Sequence, residues 1–228
     1  MFSELPEKLR REVYVSETYL LGHPEEAKRL LSGIRYEVVT EEVMRRMSDT
    51  GTPQGILAVA GQPETSEEEI LGASSAHILF LEKLQDPGNL GTILRAGEGA
   101  GVTGVIMSAD SADVFNPKVV RSTMGAIFRM PFCVSEDILA SIRRAKEKGI
   151  TVFAAHLRGA VNYEEADFTG PLAFLIGNEA QGLSESAAGL ADVKIRIPMA
   201  GQVESLNAAV AAAVLSFEAA RQRRTRGR

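Results

Sequence analysis

Phe174-Leu175-Ile176-Gly177-Asn178-Glu179-Ala180-Gln181-Gly182-Leu183 is the stretch on which the reading of this 228-residue chain turns. An unbroken apolar run empties into glycine, asparagine and glutamate. Without polar alternation, the run at 173–176 reads as a strand buried on both faces, the habit of parallel sheets. Four more runs are read as strands of the same sheet, at 78–81, 104–107, 151–155 and 193–197. Helical periodicity separates them at 89–99, 117–124, 137–148, 184–190 and 204–223. Ser135 and Ser184 stand before acidic residues, as capping residues do at helix starts. Strands alternating with helices predict an α/β fold, a parallel sheet covered on both faces.

Upstream, strands at 12–15, 36–39 and 56–60 and helices at 25–31 and 41–47 predict a small α/β domain over residues 1–62. Pro63-Glu64-Thr65-Ser66-Glu67-Glu68-Glu69 is polar and acidic, so residues 63–75 read as a linker, turning helical towards Ile70 and Leu71. The larger domain then spans residues 76–228.

Hydrophobic residues make up 45% of the chain and charged residues 24%, enough apolar content for a sizeable core. Cys133 is the single cysteine. It rules out an intrachain disulfide and a cysteine-based zinc site, and favours a reducing, cytoplasmic address. The N-terminus lacks the apolar core of a signal peptide, and the most apolar stretch, 206–217, is too short to span a bilayer. No metal and no membrane are therefore expected. The net charge of −5 is unevenly spread, at −6 over residues 1–75, −2 over 76–200 and +3 over 201–228. Arg221, Arg223, Arg224, Arg226 and Arg228 close the chain. They read equally well as a solvated helix end, favoured by the helix dipole, and as a nucleic-acid contact.

Gly99-Ala100-Gly101-Val102-Thr103-Gly104 matches G-x-G-x-x-G, but a dinucleotide fingerprint follows a strand and opens a helix. Here the glycines close a helix and lead into a strand, so they read as a C-cap and turn. Three other blocks carry more polar specificity than a core needs. In Leu84-Gln85-Asp86-Pro87-Gly88-Asn89-Leu90-Gly91-Thr92-Ile93-Leu94-Arg95, helical spacing puts Thr92 and Arg95 on the side of Asn89, where an α/β sheet presents ligands. The Gly-x-Glu-x-x-Gly of 177–182 offers close backbone approach and a charge at a strand end. In the third, Ile197-Pro198-Met199 ends a strand, and Ser205-Leu206-Asn207 opens a long helix with two capping residue types.

Together these blocks resemble the SpoU (TrmH-like) family of RNA ribose methyltransferases, over roughly residues 52–223. Asn89-x-Gly91-x-x-x-Arg95 looks like its first motif, and Asn116-Pro117-Lys118-Val119-Val120-Arg121-Ser122-Thr123-Met124-Gly125-Ala126 resembles its central segment. The blocks at 177–182 and 197–207 look like its last two. Four motifs in order make the match specific.

The resemblance implies a deep C-terminal trefoil knot, which periodicity would not suggest. It implies S-adenosylmethionine as cofactor, held mainly through backbone by Gly177, Ile197 and Leu206, with Met199 and His156 lining the site. It implies methylation of a ribose 2′-hydroxyl in RNA, with ribosomal RNA favoured over transfer RNA, by a homodimer that builds a shared RNA site. Arg95 would be the central catalytic residue, with Asn89, Glu179, Ser205 and Asn207 orienting it, the cofactor and the ribose. Because guanidinium stays protonated, Arg95 is expected to bind phosphate and steady the developing alkoxide, with phosphate or water taking the proton. Residues 1–62 resemble the later part of the family's RNA-binding domain, shortened by a strand and a helix. The alternatives are a transfer-RNA enzyme and a non-catalytic RNA-binding dimer scaffold.

Overall fold

The computed structural model describes residues 1–157 and 161–226. The chain divides into two compact units, Met1–Pro63 and Glu64–Arg228. Arg228 of the terminal arginine cluster lies outside the described residues.

In the first unit β1 (Arg10–Ser16) is central, with β2 (Glu37–Val39) parallel and β3 (Ile56–Ala60) antiparallel to it. Val13 and Val15 of β1 are buried with Ala27 and Leu31 of α2 (Pro24–Leu31), after α1 (Glu17–Gly22). The helix α3 (Glu41–Met47) starts at Thr40, whose hydroxyl accepts from the Val43 N–H. The sequence did not announce α1. Ser16 ends β1 and caps α1 at once, accepting from the Tyr19 N–H at 3.2 Å.

The second unit begins with α4 (Glu67–Leu71), nucleated by a capping box in which Ser66 and Glu69 satisfy each other's backbone. Ile70 and Leu71 are buried, and Glu67 meets Arg144 at 2.8 Å. Residues 67–71 therefore pack into this unit, where the composition had suggested a linker. There follow β4 (His77–Leu81), α5 (Pro87–Ala100), β5 (Gly104–Ser108), α6 (Pro117–Ser122), β6 (Phe132–Ser135), α7 (Ile138–Glu147) and β7 (Thr151–Ala155). The chain closes with β8 (Val161–Asn162), β9 (Leu172–Ile176), α8 (Glu185–Leu190), β10 (Val193–Arg196) and α9 (Ala208–Arg226).

The seven strands lie in the order β6-β5-β4-β9-β7-β10-β8, every neighbouring pair parallel. Alternate side chains of β4 feed two cores. Leu79 and Leu81 pack with α5 and α9, while Ile78 and Phe80 pack with α4 and α7. The glycines of the false dinucleotide motif serve this packing. Gly101 is the left-handed C-cap of α5, and a Cβ on Gly104 would stand 2.4 Å from Ile70 Cγ2.

Ser135 is not a helix cap. It ends β6, buried, and shares a hydrogen bond of 2.7 Å with Ser141, while Asp137 caps α7. The terminal arginines are mostly engaged within the fold. Arg223 donates to the carbonyls of Ala76 and Gly170 at 2.8 and 2.7 Å and to those of Phe168 and Ser75 at 3.2 and 3.3 Å. Arg221 pairs with Glu218, and Arg226 donates to the Thr169 hydroxyl. Beside the Arg223 clasp, His77 is fully buried, with no hydrogen-bond partner for either ring nitrogen among the described residues, its ring edge-on to Phe174. Burial, with Arg223 adding to it, pulls His77 down to about 4.

Candidate active site

The C-terminal ends of β9 and β10 and the start of α9 enclose a cavity of about 530 Å³, within the range of small-molecule sites. Parallel strands end here together, so their following loops converge. Of the ten residues singled out from the sequence, seven line it: His156, Gly177, Glu179, Ile197, Met199, Ser205 and Leu206. Asn89 and Asn207 stand just behind the wall, bonded to it or to each other. Arg95 does not line it.

Three motifs meet in one chain of hydrogen bonds. Asn207 Nδ2 donates to Asn89 Oδ1 at 2.9 Å, and Asn89 Nδ2 donates to Glu179 Oε1 at 3.0 Å. The backbone N–H groups of Asp86 and Gln85 also donate to this carboxylate, at 3.2 and 3.3 Å. Asn207 Oδ1 accepts from the N–H groups of Ala209 and Val210 at 2.9 and 3.2 Å, capping α9. Partial burial pushes the Glu179 carboxyl up. The Asn89 amide, its own backbone, and the Asp86 and Gln85 N–H groups outweigh that and hold it below the ordinary carboxylate range. Glu179 is thus an anion that locks the β4–α5 and β9–α8 loops together.

Gly177 is needed for a reason other than room for a ligand. A Cβ there would stand 2.2 Å from Gly182 C and Leu183 N. The loop folds back on itself, Asn178 and Gly182 exchanging backbone bonds at 3.1 and 2.9 Å, with Gly182 at φ +70°. Asn178 secures it further, its amide donating to the Lys83 carbonyl at 2.8 Å. Lys83 itself is left-handed, at φ +55°.

The helix expected over 204–223 starts later, because Asn207 and not Ser205 provides the cap. Ser205 lies in an irregular stretch, exposed, on the cavity wall. Among the described residues, no backbone hydrogen bond joins 198–206 to the rest of the main chain. Free peptide groups beside apolar walls of Ile176, Ile197, Ala211 and Leu215 form a cradle suited to a ligand with a flat apolar ring and polar edges.

Arg95 stands two turns into α5, exposed, with no hydrogen bond or ion pair among the described residues. The sequence reading missed Glu82. It is 6% exposed and accepts from the Ser184 N–H and hydroxyl at 2.8 and 2.7 Å, while the Ser184 hydroxyl caps α8. A carboxylate directly after the apolar run at 78–81 does not by itself distinguish a buried acid from a solvated strand end. Among the described residues no group of three His, Cys, Asp or Glu side chains could hold a metal ion, and no helix is long and apolar enough to cross a membrane.

A family model for RNA 2′-O ribose methyltransferase substrate binding matches residues 7–66, and one for the SpoU rRNA Methylase family matches residues 76–217. The 23S rRNA (guanosine(2553)-2′-O)-methyltransferase RlmP of Bacillus subtilis is 34% identical over 82% of this chain and 73% of its own length. The 23S rRNA (guanosine-2′-O-)-methyltransferase RlmB of Xylella fastidiosa is 34% identical over 90% of this chain and 84% of its own. The crystal structure of the SpoU methyltransferase AviRb from Streptomyces viridochromogenes superposes with a TM-score of 0.82 at 30% identity. It covers 96% of this chain and 84% of that one. A second AviRb structure, in complex with the cofactor AdoMet, gives 0.82 at 29% identity over 95% of this chain and 84% of that one. With both family models in sequence and most of its length matched by these relatives, the chain belongs to the SpoU rRNA Methylase family.

Proposed function

We propose that this protein methylates a ribose 2′-hydroxyl of ribosomal RNA in the cytoplasm, using S-adenosylmethionine bound in the cavity between β9, β10 and α9. The observation that carries this is the convergence of three motifs on one cavity, with Asn89, Glu179 and Asn207 bonded in series although they lie up to 118 positions apart. The names of the relatives agree with ribosomal RNA as substrate.

When bound, the cofactor supplies an electrophilic methyl group; the protein supplies position and charge. Free peptide groups of 198–206 and the walls at Ile197, Met199 and Leu206 orient it, with Gly177 and His156 also lining the cavity. The Glu179–Asn89–Asn207 chain fixes the start of α5 against the cavity. Arg95, two turns further on, binds a phosphate beside the target ribose and steadies the oxygen as its proton leaves to phosphate or water.

An arginine outside the cavity that its own chain builds suits a shared site, so we assign Arg95 to the cavity of a second copy. Val210 and Phe217, seven positions apart on α9 and each about half exposed, provide the apolar face such a dimer would cover. The first unit serves as the RNA-binding domain, and the chain between β9 and α9 forms a trefoil knot. The knot is checked by pulling the termini apart, since a knotted chain stops short of the unknotted contour length.

The reaction is tested by transfer of labelled methyl from S-adenosylmethionine to separated ribosomal and transfer RNA, followed by nucleoside analysis. Ribose label in the ribosomal fraction is expected, falling roughly a hundred- to a thousand-fold in Arg95→Ala. Label confined to transfer RNA would move the substrate class, and no label despite cofactor binding would leave an RNA-binding scaffold.

A further inference from the structure

Several cations of the second unit have partners close by. Arg129 meets Glu98 at 2.9 Å, Arg144 meets Glu67 at 2.8 Å, Lys146 meets Asp192 at 2.9 Å and Lys83 faces Asp110 at 3.6 Å. Among the described residues, no hydrogen bond or ion pair holds the side chains of Arg95, Lys118 and Arg121. Among the described residues, unpartnered cations also occur elsewhere, at Arg143, Lys194, Arg196 and Arg224, but these three share one place: the contact between α5 and the segment that begins with α6.

That contact has a clear register. A Cβ on Gly88 would stand 3.9 Å from Lys118 Cε, so the lysine chain lies over the first turn of α5. A Cβ on Gly91 would fall 1.7 Å from Ser122 Oγ and 2.8 Å from the Val119 carbonyl. Further along, Arg129 Nε donates to Glu98 Oε1 at 2.9 Å. The segment thus runs beside α5 in the same direction, bringing Met124 and Gly125 level with Arg95.

Met124 is unusual in two ways at once. It is left-handed, at φ +50°, next to Gly125 at φ +90°, and its large apolar side chain is 58% exposed. Conformations of this kind in non-glycine residues gather at functional sites. An exposed apolar side chain flanked by free cations matches single-stranded RNA, whose phosphates take the cations while an unstacked base takes the apolar surface. In a chain of net charge −5, a polyanion needs such a local concentration of positive charge.

We propose that residues 117–125 form a second wall of the RNA site, with Lys118 and Arg121 binding backbone phosphates and Met124 packing against an unstacked base beside Arg95. The proposal rests on the RNA substrate assigned above.

The test uses the full chain and labelled 23S ribosomal RNA, with affinity measured between 50 and 200 mM salt. In the Lys118→Gln/Arg121→Gln double variant, affinity is expected to fall roughly tenfold at low salt. The slope of log affinity against log salt should become shallower by about 1.5, as for two lost phosphate contacts. Melting temperature and S-adenosylmethionine affinity should not change. Met124→Gly suits the backbone, so it should hold or raise the melting temperature while raising KM for RNA about tenfold, and Met124→Leu should restore KM. An unchanged slope in the double variant, with normal KM in Met124→Gly, overturns the second wall while a methylating wild type keeps the reaction. A wild type that binds RNA with a slope dependent on Lys118 and Arg121 but transfers no methyl overturns the reaction and keeps the wall. A wild type that does not bind RNA overturns both.

Discussion

A methyl group added at Gly177 would stand 2.2 Å from the backbone of Gly182 and Leu183, and neither can rotate away as a side chain could. Gly177→Ala must therefore open the loop that carries Glu179. It should cost roughly 2 kcal/mol or more in stability and lower S-adenosylmethionine affinity, measured by thermal melting and calorimetry. Gly182→Ala differs, because at φ +70° with open space around it the cost is only about 1 kcal/mol of backbone strain. His77 gives the pH dependence at this scale. Its ordinary value is 6.5 and its folded value about 4, so between these the unfolded chain binds a proton that the folded chain refuses. Stability from this group is full above pH 6.5, is lost as pH falls towards 4, and levels off below, a change of about 3 kcal/mol. Unfolding titrations across that window should show the slope in the wild type and its loss in His77→Leu.

At the scale of elements, α9 is fastened at its far end by Arg223, whose planar fork reaches four carbonyls from two loops. Lysine cannot reproduce that geometry. Arg223→Lys should lower stability by roughly 2 kcal/mol without changing the salt dependence of RNA binding, since this guanidinium faces protein. The same helix shows where sequence reading succeeds and stops. The inner strands were legible almost to the residue, because continuous apolar runs mark β4, β5, β7 and β9, while β10 alternates apolar with charged residues and is only partly buried. Thr151–Ala155 was placed without error, and β4, β5, β9 and β10 each within one residue at one end. The strand β6 escaped, because its apolar run, Phe132-Cys133-Val134, is only three residues long and only Phe132 and Ser135 at its ends are buried. The helix α6 was expected to reach 124 but stops at Ser122, short of the left-handed Met124. At the site, local motifs identified Asn89, Glu179 and Asn207, but their bonding in series depends on strands meeting far apart in sequence. Glu82 was illegible, because a charge at a strand end ordinarily meets water.

At the scale of the whole molecule, the position of Arg95 outside its own cavity makes a prediction about pairs of chains. Arg95→Ala and Leu206→Asp should each be inactive alone, one lacking the arginine and the other a usable cavity. If each site takes its arginine from the partner, an equal mixture exchanged into mixed dimers contains one intact site per mixed dimer. Methyl transfer should then return to about a quarter of the wild-type rate. A site built within one chain gives no recovery. The backbone of 198–206 carries a last consequence. Among the described residues, nine consecutive residues beside the cavity have no main-chain partner, and on the proposed reading the methyl donor becomes that partner. The shape of the lip is then finished only when its guest arrives. The fraction of molecules ready for RNA would follow the supply of donor, making the enzyme a gauge of its own feedstock.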